Sequence, residues 1–371
     1  MLKPHILDFS IDELKKKLST ICEKPFQVKQ IFQWLFIHYN IDFKQMTNIS
    51  LDLRNRLTEE FDCFMPEIIE EKESAEYENS PPYPPHKCGG KNNSPHIYGE
   101  GRGGNSTKKY LLKLSDSSLI EMVFIPNPDK NTLCISTQVG CSRKCSFCAT
   151  ANIGLQRNLT QAELLLQLYL ARQDNPHSKI TNLVLMGMGE PLDNLQNVIS
   201  FLKVLQYNEG LAFSGRRTTI STCGIVPKIY EIADLDLKFK LAISLNSAIN
   251  EKRSLIMPIN DIYPLKDLKQ AVLYFRKKSN YRVTFEYIMI DDFNMEKEDI
   301  KALKSFCSDI SCKINLIKWN NVPNLPYKSP SEKQIQKFIQ DLHSLPVAIT
   351  YRKSRGEDIA AACGQLAGRQ T

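Results

Sequence analysis

Three cysteines within one short stretch, residues 140–148, have a spacing suited to metal binding. Cys141, Cys145 and Cys148 form a C-x3-C-x2-C pattern with Phe147 inside the second gap. Cysteine thiolates are the usual ligands of iron–sulfur clusters, and three of them hold three irons of a cubic 4Fe–4S cluster. The fourth iron is then left without a protein ligand. Because an open coordination position is typical of catalytic metal sites, the spacing indicates a cluster that binds a small molecule.

Structural zinc is the alternative, because zinc ligands are often separated by the same two to four residues. A structural zinc site needs a fourth ligand. Cys134 lies upstream, but on a predicted strand that would hold it away from the loop. The ligand count therefore favours the cluster, while zinc stays open at this stage.

A second motif reads M-G-M-G-E-P over residues 186–191. Glycine allows backbone groups to approach a ligand closely. An ordinary tight turn between a strand and a helix would explain the same glycines. The position of the motif gives it weight, because it follows the strand next to the one that precedes the cysteine loop.

Alternating strands and helices between residues 130 and 351 must position both motifs. Apolar runs predict strands at 133–137, 182–186, 218–221, 240–245, 282–290 and 314–318. Helical periodicity predicts helices at 160–172, 192–206, 226–233, 265–278, 296–307 and 331–342. Six such units in series predict a parallel sheet with right-handed crossovers, and six are too few to close an eight-stranded barrel. We therefore expect an α/β fold, a partial (β/α)6 barrel with its chemistry at the carboxyl ends of the strands.

Composition and periodicity divide the chain into five segments. They are an N-terminal helical accessory domain (1–70), a flexible Pro/Gly-rich insert (71–106), a β-hairpin (107–128), the partial barrel (129–351) and a C-terminal tail (352–371). Ser10 and Glu13 predict a capping box at the first of three N-terminal helices, and the aromatic residues there are expected to form a small core. A solvated face is the usual role of lysines such as Lys15, Lys16, Lys17 and Lys29.

The composition permits a nucleic-acid partner without requiring one, because Lys and Arg number 48 against 41 Asp and Glu, a net charge of +7. No apolar run of about 18 residues predicts a membrane span, and the charged start predicts no signal peptide. Eleven cysteines without such a signal indicate reduced thiols and a cytoplasmic protein. His86, Cys88 and His96 in the insert are too irregularly spaced to predict a second metal site.

The cysteine loop after the first strand and the G-M-G-E-P turn after the second resemble the radical S-adenosylmethionine (SAM) enzymes. In that superfamily the methionine part of SAM binds the open iron, and its reductive cleavage yields a 5′-deoxyadenosyl radical. The tail, R-K-S-R-G-E-D-I at 352–359 and A-A-C-G-Q-L at 361–366, resembles the adenine-C2 RNA methyltransferase family that modifies 23S rRNA and tRNA. So do the residues at 23–26, 121–126 and 319–320, and the resemblance covers nearly the whole chain apart from the insert.

The resemblance implies roles for three residues outside the cysteine loop. Cys363 would accept a methyl group from a first SAM, and the radical from a second SAM would take a hydrogen from that group. The resulting carbon radical would add to adenine C2. Cys134 would release the product by attacking the Cys363 sulfur, which leaves a disulfide, and Glu121 would remove the C2 proton. Without the resemblance, two small buried thiols and an outward-facing carboxylate are the usual interpretations.

The resemblance also implies a set of SAM contacts: Gly189, Glu190, Ser221, Ser244, Leu245, Asn246 and Asn320. Asn246 departs from the family, which usually has His at this position. An amide still offers a hydrogen-bond donor and an acceptor, so a contact made by hydrogen bonds or by the backbone would survive the change. Glu286, on a strand among aromatic residues, is expected to pair structurally.

The implied partners are 23S rRNA, tRNA and an electron donor such as flavodoxin, and the protein is expected to act as a monomer. Methylating a base within folded RNA requires that base to leave its stack. Cationic side chains would then hold phosphates: Arg216, Arg217, Lys277, Lys278 and the 352–355 run. The alternatives are a sister enzyme that methylates adenine C8, a zinc-containing RNA-binding protein and a glycyl-radical activating enzyme, which has no use for Cys363.

Overall fold

A computed structural model describes residues 3–75, 106–128, 130–343, 345 and 347–368. Most of the predicted Pro/Gly-rich insert lies outside the described residues, and so do His86, Cys88 and His96.

The N-terminal unit contains three helices, α1 (Ile11–Ile21), α2 (Pro25–Phe36) and α3 (Leu51–Glu60). The predicted capping box at Ser10 is confirmed, because its side chain accepts from the Glu13 amide and the Glu13 carboxylate accepts from the Ser10 amide. The expected aromatic core is present, with the rings of Phe9 and Phe61 in edge-to-face contact at 5.7 Å. Lys15 lies over the ring of Tyr207 at 4.9 Å, so this lysine packs on the protein's own surface.

One ten-stranded sheet runs through the rest of the described chain. Its strands are β1 (Glu67–Glu73), β2 (Lys108–Lys113), β3 (Leu119–Ile125), β4 (Thr132–Cys134), β7 (Asn182–Leu185), β8 (Thr218–Thr222), β9 (Lys240–Ser244), β10 (Val283–Met289), β11 (Cys312–Lys318) and β12 (Ala348–Arg352). They lie side by side in the order β1-β2-β3-β4-β7-β8-β9-β10-β11-β12. A separate antiparallel pair is formed by β5 (Gln138–Val139) and β6 (Arg157–Asn158). Pairing is antiparallel from β1 to β4 and parallel from β4 to β12.

Helices follow the parallel strands and cover the sheet. They are α4 (Gln161–Asp174), α5 (Leu195–Leu205), α6 (Val226–Ala233), α7 (Asn250–Ile256), α8 (Ile259–Ile262), α9 (Leu265–Lys278), α10 (Lys297–Cys307) and α11 (Glu332–Leu342). The six predicted βα units are confirmed, and the fold is an α/β partial barrel with a helical N-terminal domain. A seventh parallel strand, β12, was not predicted, and it leads directly into the tail that carries Cys363.

The sequence analysis also did not predict β1, which crosses the predicted boundary between the N-terminal domain and the insert at residue 70. Its E-I-I-E-E-K-E sequence has too many charges for an apolar run, and its burial alternates between exposed and half-buried residues. It forms the edge of the sheet, where charged side chains are common. Its partner strand supplies compensating charge, since Lys108 Nζ lies 2.8 Å from Glu71 Oε1.

The parallel strands form the centre of the hydrophobic core, with Ile243, Phe285 and Ile314 fully buried. This packing fixes the carboxyl ends of the strands relative to one another, where a parallel barrel holds its reactive groups. Within the described ranges, each helix is too short or too polar to cross a membrane.

Candidate active site

The cysteine loop follows β5 and is fixed by backbone contacts at both ends. Gly140 has a φ of +78°, and an added Cβ would lie 1.7 Å from the Gly154 carbonyl oxygen, so only glycine fits there. The Cys141 amide donates to that same carbonyl over 3.1 Å, and the Ser146 amide donates to the Ile256 carbonyl over 3.0 Å. The loop therefore has a defined shape before any metal is considered.

The three thiols of the loop are desolvated, and Cys145 is within electrostatic range of the other two. Burial raises the pKa of Cys141 to about 12, and it also raises the pKa of Cys145 and Cys148, with the other two loop thiols adding to the effect at Cys145. Such thiolates need a positive partner in a desolvated site. In the part of the chain that the structure describes, no three His, Cys, Asp or Glu side chains converge on a single-ion site. A metal centre held by the three thiolates would supply that positive partner.

The G-M-G-E-P turn packs directly against the chain that leads into the cysteine loop. A Cβ on Gly187 would lie 2.7 Å from the Ile135 carbonyl carbon, and Gly189 has a φ of +100°. Both glycines therefore permit a close approach of two backbone segments. The Glu190 amide donates to Gln138 Oε1 over 2.8 Å, which ties the turn to β5.

Glu190 also joins the turn to the neighbouring strand through its buried carboxylate. It accepts hydrogen bonds from the Cys223 amide over 2.8 Å and from the Leu192 amide over 3.0 Å. Burial raises the pKa of Glu190, and the Cys223 amide acts in the opposite direction. Three residues after Glu190, Asp193 forms an ion pair with Arg143 of the cysteine loop.

Arg253 organises the next two strand ends, although the sequence analysis did not single it out. Its side chain is fully buried. The guanidinium donates to the Leu245 carbonyl over 3.1 Å, to the Ser244 carbonyl over 3.2 Å and to the Cys223 carbonyl over 2.7 Å. Desolvation lowers the pKa of Arg253 to about 10, and the Cys223 and Cys145 thiols act in the opposite direction. An arginine on a short helix with backbone acceptors leaves no spacing signal in the sequence.

Asn246 has its side chain turned into the protein. It is fully buried and has a φ of +55°, a conformation that asparagine tolerates better than most residues. Its Oδ1 accepts from the Ile288 amide over 3.0 Å, and its Nδ2 lies 3.3 Å from the Met257 sulfur. Both side-chain polar atoms therefore have internal partners. The backbone of Asn246 has partners too, because its amide donates to the Glu286 carbonyl over 3.4 Å and its carbonyl accepts from Asn294 Nδ2 over 2.7 Å.

Asn320 is buried at the carboxyl end of β11, and one of its side-chain atoms lacks a partner. Its Nδ2 donates to the Cys363 carbonyl over 3.1 Å, while its Oδ1 has no hydrogen-bond partner among the residues described here. A buried acceptor without a donor is costly and marks a place where a ligand donor fits. Ser221, half-buried on β8, and Ser244, half-buried on β9, lie at the same end of the sheet.

The tail that carries Cys363 lies against the cysteine loop. The Ala149 amide donates to the Gly364 carbonyl over 2.8 Å, and the Thr150 hydroxyl donates to the Leu366 carbonyl over 2.6 Å. Cys363 is exposed to solvent. Desolvation of its thiol by the surrounding protein raises the pKa, and the Arg352 guanidinium offsets part of this rise. The tail thus holds an exposed cysteine residue beside the cysteine loop.

Cys134, at the end of β4, lies within electrostatic range of Cys363. Burial raises the pKa of Cys134 to about 12, and the Cys363 thiol adds to the effect. The Cys148 thiol and the Glu286 carboxylate likewise raise the pKa of Cys363. Glu286 accepts from the Asn315 amide over 2.6 Å, in agreement with the expected structural pairing. The fold thus brings the Cys363 thiol, near the end of the sequence, within electrostatic range of both Cys134 and Cys148.

Glu121 is buried, and the outward-facing interpretation of this residue is wrong. Its Oε1 lies 3.2 Å from Lys109 Nζ, and its Oε2 accepts from the amides of Ala367 and Gly368 over 2.8 and 3.3 Å. The carboxylate borders a cavity of about 420 Å³ between β3, the tail and the loop after β11. Asn321 and Ile153 also line this cavity.

Only part of the predicted cationic surface lies at the carboxyl end of the strands, where the cysteine loop is. Arg216 and Arg217 precede β8, and Lys277 and Lys278 precede β10, so these four side chains are at the amino ends of the strands. The cysteine loop follows a strand and lies at the opposite, carboxyl end. These four residues therefore lie away from the cysteine loop, and their contact with RNA phosphates stays a prediction. The 352–355 run at the end of β12 stays compatible with that role.

Comparisons with known proteins agree with this geometry. A family model described as the Radical SAM superfamily matches residues 135–303, which contain the cysteine loop and the G-M-G-E-P turn. A crystal structure of a radical SAM methyltransferase from Sphaerobacter thermophilus has a TM-score of 0.87 and 33% sequence identity, and the match covers 99% of this chain and 100% of that one. The chain is therefore a radical SAM enzyme. Membership of this superfamily implies a 4Fe–4S cluster and SAM, and the donor atoms described above fit both.

The family within that class follows from the N-terminal unit and from the full-length relatives. A family model described as the ribosomal RNA large subunit methyltransferase N-terminal domain matches residues 5–62. Proteins described as probable dual-specificity RNA methyltransferase RlmN are 38% identical in Dictyoglomus turgidum, over 98% of this chain and 96% of the relative. They are 40% identical in Clostridioides difficile, over 97% of this chain and 96% of the relative. The chain belongs to the RlmN family of RNA methyltransferases, and this membership does not favour the adenine-C8 alternative.

Proposed function

We propose that this protein methylates C2 of an adenine in 23S rRNA and in tRNA, with Cys363 as the carrier of the methyl group. The observation that supports the proposal most directly is the position of the tail. Hydrogen bonds from Ala149 and Thr150 hold it against the cysteine loop, within electrostatic range of Cys134. The same tail donates to the Glu121 carboxylate through the amides of Ala367 and Gly368, so it joins the proposed carrier thiol to the proposed base.

Cys141, Cys145 and Cys148 would hold the cluster, which supplies the electron that cleaves SAM when it is bound. Asn320 Oδ1, a buried acceptor, would receive a hydrogen bond from SAM, and Gly189 and Asn246 would form further contacts. Ser221, Ser244, Leu245 and Glu190 complete the proposed SAM site. Two SAM molecules would be used in each turnover, one as the methyl donor and one as the source of the radical.

Three residues would each perform one step of the methyl transfer to the RNA: Cys363, Glu121 and Cys134. The Cys363 thiolate displaces the methyl group from the sulfonium of the first SAM, for which a thiolate is the required nucleophile. After a hydrogen has been removed from the S-methyl group, its carbon would add to adenine C2, and the ring radical so formed would give up one electron, for which the cluster held by the three loop cysteines would be the acceptor. Glu121 accepts the C2 proton, and the Cys134 thiolate then attacks the Cys363 sulfur. A disulfide forms as the bond between the Cys363 sulfur and the methylene carbon breaks, and that carbon keeps the bonding electrons and takes up a proton to become the methyl group of the product.

The adenine must leave its stack to reach Cys363, and the cavity beside Glu121 offers space for it. We propose that the protein acts as a monomer in the cytoplasm, where both RNA substrates are found, and that flavodoxin or a similar electron donor supplies the reducing equivalents. The 352–355 run would contact RNA phosphates, which set position rather than sequence.

Anaerobic reconstitution with iron, sulfide, SAM and a reductant, followed by reaction with 23S rRNA and tRNA, tests the proposal. We expect about four irons per chain and 2-methyladenosine in digested RNA, identified by mass spectrometry against 2- and 8-methyladenosine standards. Cys363→Ala should give no product, and Cys134→Ala should accumulate protein linked to RNA. Cys63→Ala, in the N-terminal unit, is the matched control and should retain activity. Product from Cys363→Ala at the wild-type rate would contradict the carrier role, and 8-methyladenosine would contradict the proposed position.

A further inference from the structure

Lys109 is a buried lysine that the reaction described above does not use. Its side chain is 10% exposed, and its Nζ lies 3.2 Å from Oε1 of Glu121. We infer that Lys109 is a positioning residue, which aligns the Glu121 carboxylate and the Cys363 tail with each other for removal of the adenine C2 proton. The inference rests on the proposed function, because it assigns Lys109 to the second half of that reaction.

The strand register places Lys109 and Glu121 on the same face of the sheet. In the antiparallel pair of β2 and β3, Leu111 is opposite Glu121 and Lys109 is opposite Val123. Lys109 and Glu121 are thus diagonal neighbours, which long side chains can bridge. Lys108 points to the other face because side chains alternate along a strand, and there its Nζ contacts Glu71 at 2.8 Å and Asp174 at 3.0 Å.

The same ammonium holds the turn that precedes the methyl carrier. Lys109 Nζ donates to the Ala360 carbonyl over 3.1 Å. Ala360 has a φ of +53°, and the turn is closed by a hydrogen bond of 2.7 Å from the Ala361 amide to the Gly356 carbonyl. Lys109 therefore joins the carboxylate to a chain segment that lies three residues before Cys363.

The other oxygen of Glu121, Oε2, is held by residues that follow Cys363 in the sequence. The amides of Ala367 and Gly368, four and five residues after the cysteine, both donate to Oε2. Each carboxylate oxygen is thus oriented by groups that flank the methyl carrier. Fixed orientation of a reacting group contributes strongly to rate, because small misplacements slow a reaction severely.

The pair faces a space that a ligand can enter. Lys109 and Glu121 both line the cavity of about 420 Å³, together with Asn321 and Ile153. Lys108 joins β1 to α4 through Glu71 and Asp174 and does not line this cavity. The ammonium of Lys109 instead connects the proposed base, the tail and the cavity.

The test separates the two halves of the reaction. The first rate is the methylation of Cys363, followed by intact-protein mass spectrometry without RNA. The second is the single-turnover formation of methyladenosine by protein whose Cys363 already carries the methyl group. In Lys109→Met, which keeps most of the aliphatic chain, we expect the first rate to stay within about twofold and the second to fall about 10- to 100-fold, because misplacement of a reacting group can cost up to about 100-fold in rate. Lys109→Arg should restore part of the second rate, and Lys108→Met should leave both rates unchanged.

Two results would overturn the inference. A wild-type second rate in Lys109→Met would show that the ammonium is not needed, and an equal fall in both rates would show that Lys109 only anchors the tail. If Lys109→Met does not fold, Lys109→Arg carries the same test, because a longer, planar cation should disturb the second rate alone. Absence of product from the wild-type protein would overturn the proposed function and this inference with it, whereas wild-type product formation combined with unaffected Lys109 variants overturns this inference alone.

Discussion

The side-chain amide of Asn320 donates a hydrogen bond to the backbone carbonyl of Cys363 over 3.1 Å. A proposed SAM contact is thus bonded directly to the proposed methyl carrier. The other side-chain atom of Asn320, Oδ1, is buried and has no donor among the described residues. One residue therefore holds the tail and presents an acceptor to the space beside it.

Asn320→Leu should weaken SAM binding to the reconstituted protein about tenfold. The substitution removes one buried acceptor, and a hydrogen bond of this kind contributes about 0.5–1.5 kcal/mol, whose upper end corresponds to a factor of about ten. Equilibrium dialysis with labelled SAM measures the dissociation constant. Asn208→Leu, at an exposed position after α5, is the control. An unchanged constant for Asn320→Leu would show that Oδ1 does not face SAM.

Arg253→Met should lower the free energy of unfolding of the metal-free protein by about 3 kcal/mol. The buried guanidinium donates to three backbone carbonyls, and leaving several buried acceptors without donors costs about 1–3 kcal/mol each before relaxation. Urea unfolding followed by circular dichroism measures the loss. Arg282→Met, at an exposed position, should stay within about 0.5 kcal/mol of the wild-type value. Equal stability of Arg253→Met and Arg282→Met would refute the structural role of Arg253.

Most of the barrel could be predicted because each central strand is an apolar run and each helix has a periodic apolar face. The helix α9 (Leu265–Lys278) begins and ends at the predicted residues. The two strands without such a signal, β1 and β12, lie at the two edges of the sheet. An edge strand buries less of its surface, so its sequence is free to be polar.

The candidate site could be predicted only where its chemistry is local. Cys141, Cys145 and Cys148 share one loop, so their spacing is visible in the sequence. Arg253 and Lys109 act through backbone carbonyls that are distant in sequence, such as Cys223 and Ala360. A carbonyl belongs to every residue and leaves no motif, so these contacts follow only from the three-dimensional arrangement.

Lys353→Ala should weaken RNA binding and reduce its dependence on salt. Lys353 is exposed beyond the carboxyl end of β12, on the same side as the cysteine loop. Each phosphate contact contributes about 0.9 to the slope of log K against log salt for a duplex and about 0.7 for a single strand, so we expect the slope to fall by that amount. Binding measured at several salt concentrations tests this. Lys277→Ala, at the other end of the barrel, should leave the slope unchanged, and the opposite pattern would reverse the assignment of the RNA face.

The stability of the metal-free protein should fall as pH rises above about 9, in part because of Cys134. Burial raises the pKa of this thiol from its ordinary value of 9.0 to about 12. The folded protein therefore holds the proton more tightly than the unfolded chain does. The resulting stabilisation is complete below pH 9 and is lost progressively as pH rises towards 12, with a slope of up to about 1.4 kcal/mol per pH unit.

Cys134→Ala isolates this contribution, because the other buried thiols remain in both proteins. Urea unfolding between pH 8 and about pH 10.5 should show a shallower decline for the variant than for the wild-type protein. Parallel curves would show that Cys134 ionises as readily in the folded state as in the unfolded chain. The same high pKa means that the Cys134 thiolate is scarce at neutral pH until something in the reaction complex removes its proton. Alkylation of Cys134 by iodoacetamide should therefore be slow at pH 7.5 and accelerate steeply above about pH 10.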